Sequence, residues 1–324
     1  MSLEASIKIK GEKHSAWYYR ELYLEDNIVY DKFFCPYCDV ELFGRNIYRD
    51  RSEELVKQPY FASFPEPKLG HAKDCDYAAG EKIKKNGLGV QGSHGESSLS
   101  DGPEIFAVRP ESYWEDRADN AGKSLAQRHT GTPLAQNKSF AGGAGERKTV
   151  SRIYAMRTFA EYYNLIVSES FKLRDKNGWS DEKFKKYKNE ELMKHNIVFS
   201  KDNATNYRYG FISPWSEEFI NFKKERIYLG KGHLEKKGNL YRITKNKLVL
   251  LKNGSSVPFY VAIDVKVNEF MPQTHKDIMD FIEKASVNIH DFYDVKWFVR
   301  GIPVVKDSSV VLYLRNLDFL FLKK

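Results

Sequence analysis

The chain contains three cysteines, and their spacing is the first chemical signal in its 324 residues. Cys35 and Cys38 form a C-x2-C pair in "FFCPYCDVELFGR", and Cys75 follows His71 by four positions in "LGHAKDCDYA". Read together they give C-x2-C-x32-H-x3-C, with no cysteine left over. Zinc favours four soft or borderline ligands in a tetrahedron, and each short-spaced pair can place two of them on one turn while the long insert folds back as strands. A zinc ion held by Cys35, Cys38, His71 and Cys75 would have no open position for water or substrate, so it would be structural and not catalytic. The competing reading is three ordinary buried thiols with His71 on the surface.

A second group of residues could do hydrolytic chemistry. Asp264-Val265-Lys266, in "YVAIDVKVNEF", has the form of the (D/E)xK half of a PD-(D/E)xK nuclease, in which the acid holds Mg²⁺ and the lysine supports the attacking water. The partner acid is missing, because the 30 residues before Asp264 offer only Glu235. Asp264 and Lys266 therefore mark an alternative, a Mg-dependent nuclease, and no catalytic residue is assigned in the main reading. No P-loop, HExxH, GxSxG or dinucleotide fingerprint occurs.

The third group is electrostatic. Residues 223–252 carry ten basic side chains against two acids, a local excess equal to the +8 of the whole chain. Lys231, Lys236, Lys237, Arg242, Lys245 and Lys247 lie among aromatic residues, with Tyr228 and Tyr241 within the stretch and Phe259, Tyr260, Trp297 and Phe298 beyond it. Lys and Arg neutralise phosphates, and exposed aromatic faces stack on unpaired bases, the combination single-strand binders use. Duplex readers place a helix or ribbon in a groove instead. The bland alternative is that the aromatics fill a core and the lysines solubilise it.

The elements that must position these groups read as follows. "NIVYDKFF" and "VELFGRNIYR" suggest strands of a ribbon around the cysteine knuckle. From about 81 to 148 the chain is rich in Gly and Ser, as a linker or a loop-rich excursion, with Tyr113 and Trp114 as a possible docking point and His94 and His129 as solvated side chains. Apolar residues at Ile153, Met156, Phe159, Tyr163 and Ile166 mark an amphipathic helix that ends at Asn177-Gly178. "SDEKFKKYKNEELMKHN" is a second helix, capped by Ser180 or Asp181, whose lysines form a solvated face. From Arg226 onward come short β-rich runs, then a helix in "THKDIMDFIEKA", then two closing strands. That is the chain order of an OB-fold, with one strand more than its five-stranded plan needs, and another small barrel or an α+β sheet is the alternative.

Length and composition agree with several domains. A 41% hydrophobic and 14% aromatic content can build real cores, and the positive balance favours an acidic partner. An odd number of cysteines argues against a disulfide framework, and neither a signal-like apolar start nor an 18-residue apolar run is found, so a cytoplasmic protein without a membrane partner is the expectation.

The segment from about residue 30 to 78 resembles the N-terminal module of bacterial competence CoiA-like proteins, in which a CPxC knuckle is followed by an HFAH-type stretch and a late Cys. Here Tyr60 takes the first position of that second block, in "PYFAS", and the block is stretched before His71. In that family the module precedes a nuclease domain of the PD-(D/E)xK kind and works on DNA. The resemblance implies a bacterial DNA-processing, mobile-element or defence setting, and it carries over Cys35, Cys38, His71 and Cys75 as ligands.

The expected architecture is α+β. A zinc-ribbon-like β module would span 1–80, a linker or long loop 81–148, a helical region 149–222 and an OB-like β-barrel 223–324. The expected function is nucleic-acid binding, chiefly to single-stranded DNA, with a structural zinc. A protein-interaction adaptor docking through the zinc ribbon or the 81–148 segment is a further alternative to the nuclease.

Overall fold

The structure is a computed structural model that describes residues 4–9, 11–63, 71–72, 75, 99, 102–109, 152–216, 223–265, 271–287 and 294–323. His94, Tyr113, Trp114, His129, Lys266 and most of 81–148 lie outside the described residues. In chain order the elements begin with β1 (Glu4–Ala5), β2 (His14–Ser15), α1 (Ala16–Asp26), β3 (Phe33–Phe34), β4 (Glu41–Arg45) and β5 (Tyr60–Ser63). Next come β6 (Ile105–Phe106), β7 (Arg152–Ile153), α2 (Met156–Asn177), α3 (Asp181–Met193), β8 (Asn196–Ser200), β9 (Asn203–Asn206), α4 (Tyr207–Gly210) and β10 (Phe211–Ile212). The chain closes with β11 (Arg226–Lys237), β12 (Leu240–Leu250), β13 (Ser256–Ile263), α5 (Gln273–Val287), β14 (Asp294–Gly301), β15 (Val304–Lys306), β16 (Ser309–Leu314), a 3-10 turn (Leu317–Phe319) and β17 (Leu320–Lys323). Helices and sheets are both present, so the α+β class holds. Among the described residues no helix is long and apolar enough to cross a membrane.

The chain divides into two compact units, one from 1–105, 123–153 and 161–191, the other from 106–122, 154–160 and 192–324. In the first unit, the Ser15 side chain caps α1 by accepting from the Tyr18 N–H, and Asn27 ends the helix in the left-handed region. The helix has no single apolar stripe: Trp17, Tyr19, Arg20, Leu22 and Leu24 are all buried. Tyr19 meets Phe33 edge-on at 5.0 Å between ring centres, and Phe33 meets Phe61 at 4.9 Å, so the helix sits on the antiparallel β3–β4–β5 sheet through an aromatic cluster. Arg20 is fully buried, donates to both carboxylate oxygens of Glu161 at 2.8 and 3.0 Å, and reaches the carbonyls of Ile47 and Arg49 at 3.2 Å. Helix α2 ends at Gly178, whose φ of +59° suits glycine, and the Ser180 hydroxyl accepts from the Lys183 N–H to start α3.

The second unit is built on one sheet of eight strands, in the order β15-β16-β13-β12-β11-β14-β17 with β10 pairing alongside β11. "NLYRIT" and "KLVLL" form a single strand, β12, interrupted by a register shift between Thr244 and Leu248, which removes one expected strand break. Among the described residues the strands do not close into the expected OB-like barrel. After β14 the chain crosses the sheet, so that β16 runs parallel to β13 and β17 returns beside β14; β15 and β17 thus end at opposite edges, and among the described residues no closed barrel is found. One face of the sheet packs Tyr228, Ile243, Val261, Val295, Trp297, Val299 and Leu312 against Met279 and Ile282 of α5. Gly230 makes this packing possible, because a Cβ there would lie 2.5 Å from the Trp215 ring and 3.0 Å from that of Trp297.

Two further buried guanidinium groups serve this unit. Arg109 donates to both oxygens of Asp318 at 2.8–2.9 Å, and His275 Nε2 bonds the same carboxylate at 2.8 Å. Burial alone would raise the Asp318 pKa, but the Arg109 charge and then His275 outweigh it and hold the carboxyl below its ordinary range. Arg300 donates to Glu225 and to the carbonyls of Phe106 and Phe199.

These pairs set two expected outcomes. Arg20→Ala strands the Glu161 carboxylate in the interior and should cost about 3–5 kcal/mol in denaturant unfolding, whereas Arg20→Met with Glu161→Leu should recover most of it. A depressed Asp318 pKa stabilises the fold above its unfolded value of about 3.9, and this contribution disappears as pH falls through the lower folded value. Asp318→Asn should therefore lower the thermal midpoint at neutral pH and flatten the loss below about pH 4 seen in the parent.

Candidate metal centre and basic sheet face

The first candidate site grows from a turn between two strands. β3 delivers Cys35 into the aromatic core of the first unit; the Cys35 N–H then bonds the Val40 carbonyl at 2.8 Å and the Asp39 N–H returns to the Cys35 carbonyl at 3.0 Å. Asp39 takes a φ of +56°, which reverses the chain into β4 and leaves Cys38 beside Cys35. On the far side of the insert, the Cys75 N–H bonds the Ala72 carbonyl at 3.0 Å, a single turn that places His71 and Cys75 together. Cys35 and Cys75 are buried; Cys38 and His71 are half-buried.

The four ligand atoms all lie within 4.8 Å of one another. Cys35 Sγ and Cys75 Sγ are 3.7 Å apart, Cys38 Sγ and His71 Nδ1 3.4 Å, and Cys75 Sγ and His71 Nδ1 3.5 Å. Bond lengths of about 2.3 Å to sulfur and about 2.0–2.1 Å to nitrogen around a tetrahedral ion put ligand atoms about 3.6–3.8 Å apart, so the residues present fit such an ion. The expected quartet is thus brought to one point, and the four residues are placed to hold a metal. Burial pushes the Cys35 thiol up to about 12, against the pull of the Tyr37 and Cys38 amides. At Cys38 burial also acts upward, but the Ala72 and Val40 amides, with the neighbouring thiols, outweigh it and hold the group below its ordinary value. A dication would supply the positive charge that buried thiolates need.

The second candidate site is the sheet of the second unit. Lys231, Lys236, Lys237, Lys245 and Lys247 are exposed, and Arg242 is half-buried with its guanidinium 4.8 Å from the centre of the Tyr260 ring. The strand register separates these residues. Arg242 lies across from Glu235 and shares a face with Lys231 and Lys237, whereas Lys236 lies across from Tyr241 on the face that carries the core. Lys236 lies over Tyr241 at 5.5 Å and Lys245 over Trp215 at 4.9 Å.

One expected contact is corrected outright. Tyr228 is wholly buried, packed 6.1 Å from Phe259 on the α5 side of the sheet, and cannot stack on a base. Alternation along β11 puts Tyr228 and Leu234 on the core face, and the same rule buries Phe259 and Trp297. Tyr241 is half-buried at the margin of that core. Two basic residues escaped the sequence reading, Lys296 on β14 and Lys323 on β17, because they lie far along the chain from 223–252; the signal for them is their alternation with buried Trp297 and Val299 and with Leu322.

Asp264 is exposed just beyond β13, where its N–H bonds the Leu314 carbonyl at 2.9 Å. Among the described residues the Cys35, Cys38, His71 and Cys75 group is the single convergence of three or more metal-ligating side chains, so no carboxylate cluster gathers at Asp264. Lys266 is outside the described residues.

Purified protein should carry about one equivalent of a thiophilic divalent ion per chain. Cys38→Ser or Cys75→Ser should release it and open the first unit to proteolysis, because folding and metal binding are coupled in such sites; intact protein with no bound metal overturns the assignment. The chain matches no family model, no curated protein and no solved structure, so its role has to be argued from these residues.

Proposed function

We propose that this chain is a nucleic-acid-binding protein that takes single-stranded DNA on the basic sheet of its second unit, while a zinc ion held by Cys35, Cys38, His71 and Cys75 stabilises the first. The observation that carries the reading is the stacking of Arg242 on Tyr260 beside exposed lysines of β11 and β12. A guanidinium laid on a ring can still turn N–H groups towards a phosphate. An exposed sheet with flat aromatic and guanidinium surfaces suits unpaired bases.

Zinc is favoured over other ions by the donor set, three thiols and an imidazole at tetrahedral spacing. With four protein ligands it would supply structural closure alone. A cytoplasmic site of action fits three free thiols, and a bacterial DNA-processing, mobile-element or defence setting follows from the resemblance of residues 30–78 to CoiA-like modules. Nothing in the geometry favours the nuclease or the adaptor reading over this one.

Fluorescence anisotropy with 20-nucleotide single strands, the matching duplex and RNA should give tightest binding to single-stranded DNA, with affinity falling steeply with salt at a log–log slope of about −0.7 per neutralised phosphate. Reversing Lys237 and Arg242, which share a face, to Glu should weaken binding to every sequence and flatten that slope. Tyr260→Ala, on the same face as Arg242, should lower affinity by a similar factor at all salt concentrations, because stacking releases no counterions. Tyr228→Ala should instead lower the unfolding midpoint. No binding by the parent chain, or Mg²⁺-dependent cleavage that vanishes in Asp264→Ala, overturns the proposal.

A further inference from the structure

Lys231, Lys296 and Lys323 stand in direct cross-strand register. Lys231 faces Lys296 across the β11–β14 pair, and Lys296 faces Lys323 across β14–β17. Directly opposed residues of neighbouring strands point to the same side of a sheet, and strands lie about 4.8 Å apart, so the three ammonium stems form one row across about 10 Å. Their side is the one turned away from α5, because Val295, Trp297, Val299 and Leu320 fill the core on the other.

Like charges placed directly opposite one another destabilise a sheet. Here three occur in succession; among the described residues the acids on this face include Asp294, 3.3 Å from His233, Glu235, across from Arg242, and Glu225, paired with Arg300. Lys231 is exposed, and Lys296 and Lys323 are half-exposed. Burial first, and the Lys231 charge second, lower the Lys296 pKa; burial lowers that of Lys323. The rest of this face changes character along β14, because Phe298 and Arg300 are buried beneath Phe211, Phe106 and Phe199. The row therefore sits where the covered part of the face gives way to the open part.

We propose that the Lys231–Lys296–Lys323 row is the phosphate-contacting track of this sheet, along which a single-stranded DNA backbone crosses β17, β14 and β11 towards Arg242 and Tyr260. The inference rests on the nucleic-acid reading above and moves its centre away from the β11–β12 hairpin. A polyanion is the occupant that fits by charge: three adjacent cations on a shallow face ask for several linked negative charges, and one strand supplies them at regular spacing.

The test uses the full chain and a fluorescein-labelled 20-nucleotide oligothymidylate. The Lys231→Gln/Lys296→Gln/Lys323→Gln triple should weaken binding at least tenfold at about 0.1 M salt and lower the slope by about two, from three lost contacts of about 0.7 each. Lys236→Gln/Lys237→Gln/Lys247→Gln, on the hairpin, should lose less. Arginine at all three row positions should keep both affinity and slope, which separates loss of charge from loss of fold. A row loss no larger than the hairpin loss, or an arginine triple as weak as the glutamine triple, overturns the track while the parent's binding keeps the wider reading alive. A parent chain that binds no oligothymidylate removes both.

Discussion

Three buried guanidinium groups hold this molecule together across long stretches of sequence. Arg20 joins α1 to Glu161 and to the carbonyls of Ile47 and Arg49; Arg109 joins its segment to Asp318; Arg300 gathers Glu225, Phe106 and Phe199. A charge that deep is tolerable only when its donors are met, so Arg20 and Arg300 each tie several backbone segments together, while Arg109 is matched to the Asp318 carboxylate. The planar fork of five donors suits arginine to this task, and a lysine could not span the same set. The metal quartet works by the same logic in the first unit, fastening residues 33 positions apart with directional bonds where short strands such as β3 supply little pairing of their own.

What could be read from the chain before its structure depended on whether the signal was local. Cys35, Cys38, His71 and Cys75 were legible because cysteine is scarce here and the short spacings match turns. The Ser180 cap, the stop at Gly178 and the turn-bounded runs after Arg226 were legible for similar reasons, each decided within a few residues. Helix α1 was not, because its interior positions include Trp17, Tyr19, Arg20 and Glu21 and present no apolar stripe. Its burial comes from partners such as Glu161 and Phe61, which no local pattern announces.

Non-local pairing also decided the fate of the basic residues. The composition of 223–252 correctly marks a charged region, but only strand register tells that Tyr228 turns inward and that Lys296 and Lys323 join Lys231. The same limit explains the missing barrel. Strand number and order along the chain are nearly right, while closure depends on which edges meet, and the parallel pairing of β16 with β13 sends the last strands to opposite edges.

The hairpin at one of those edges has a consequence for how the protein behaves in a crowd. β15 is three residues long, exposes Val304 and Val305, and turns into β16 through Asp307 and Ser308, both with left-handed φ values of 47° and 59°. That turn matches the twist of a two-residue hairpin without using the glycine that would relax it. A long flat valine edge would template pairing with another chain, whereas this one is cut short, twisted and closed by Lys306. That edge of the open sheet is thus poorly suited to template pairing with another chain.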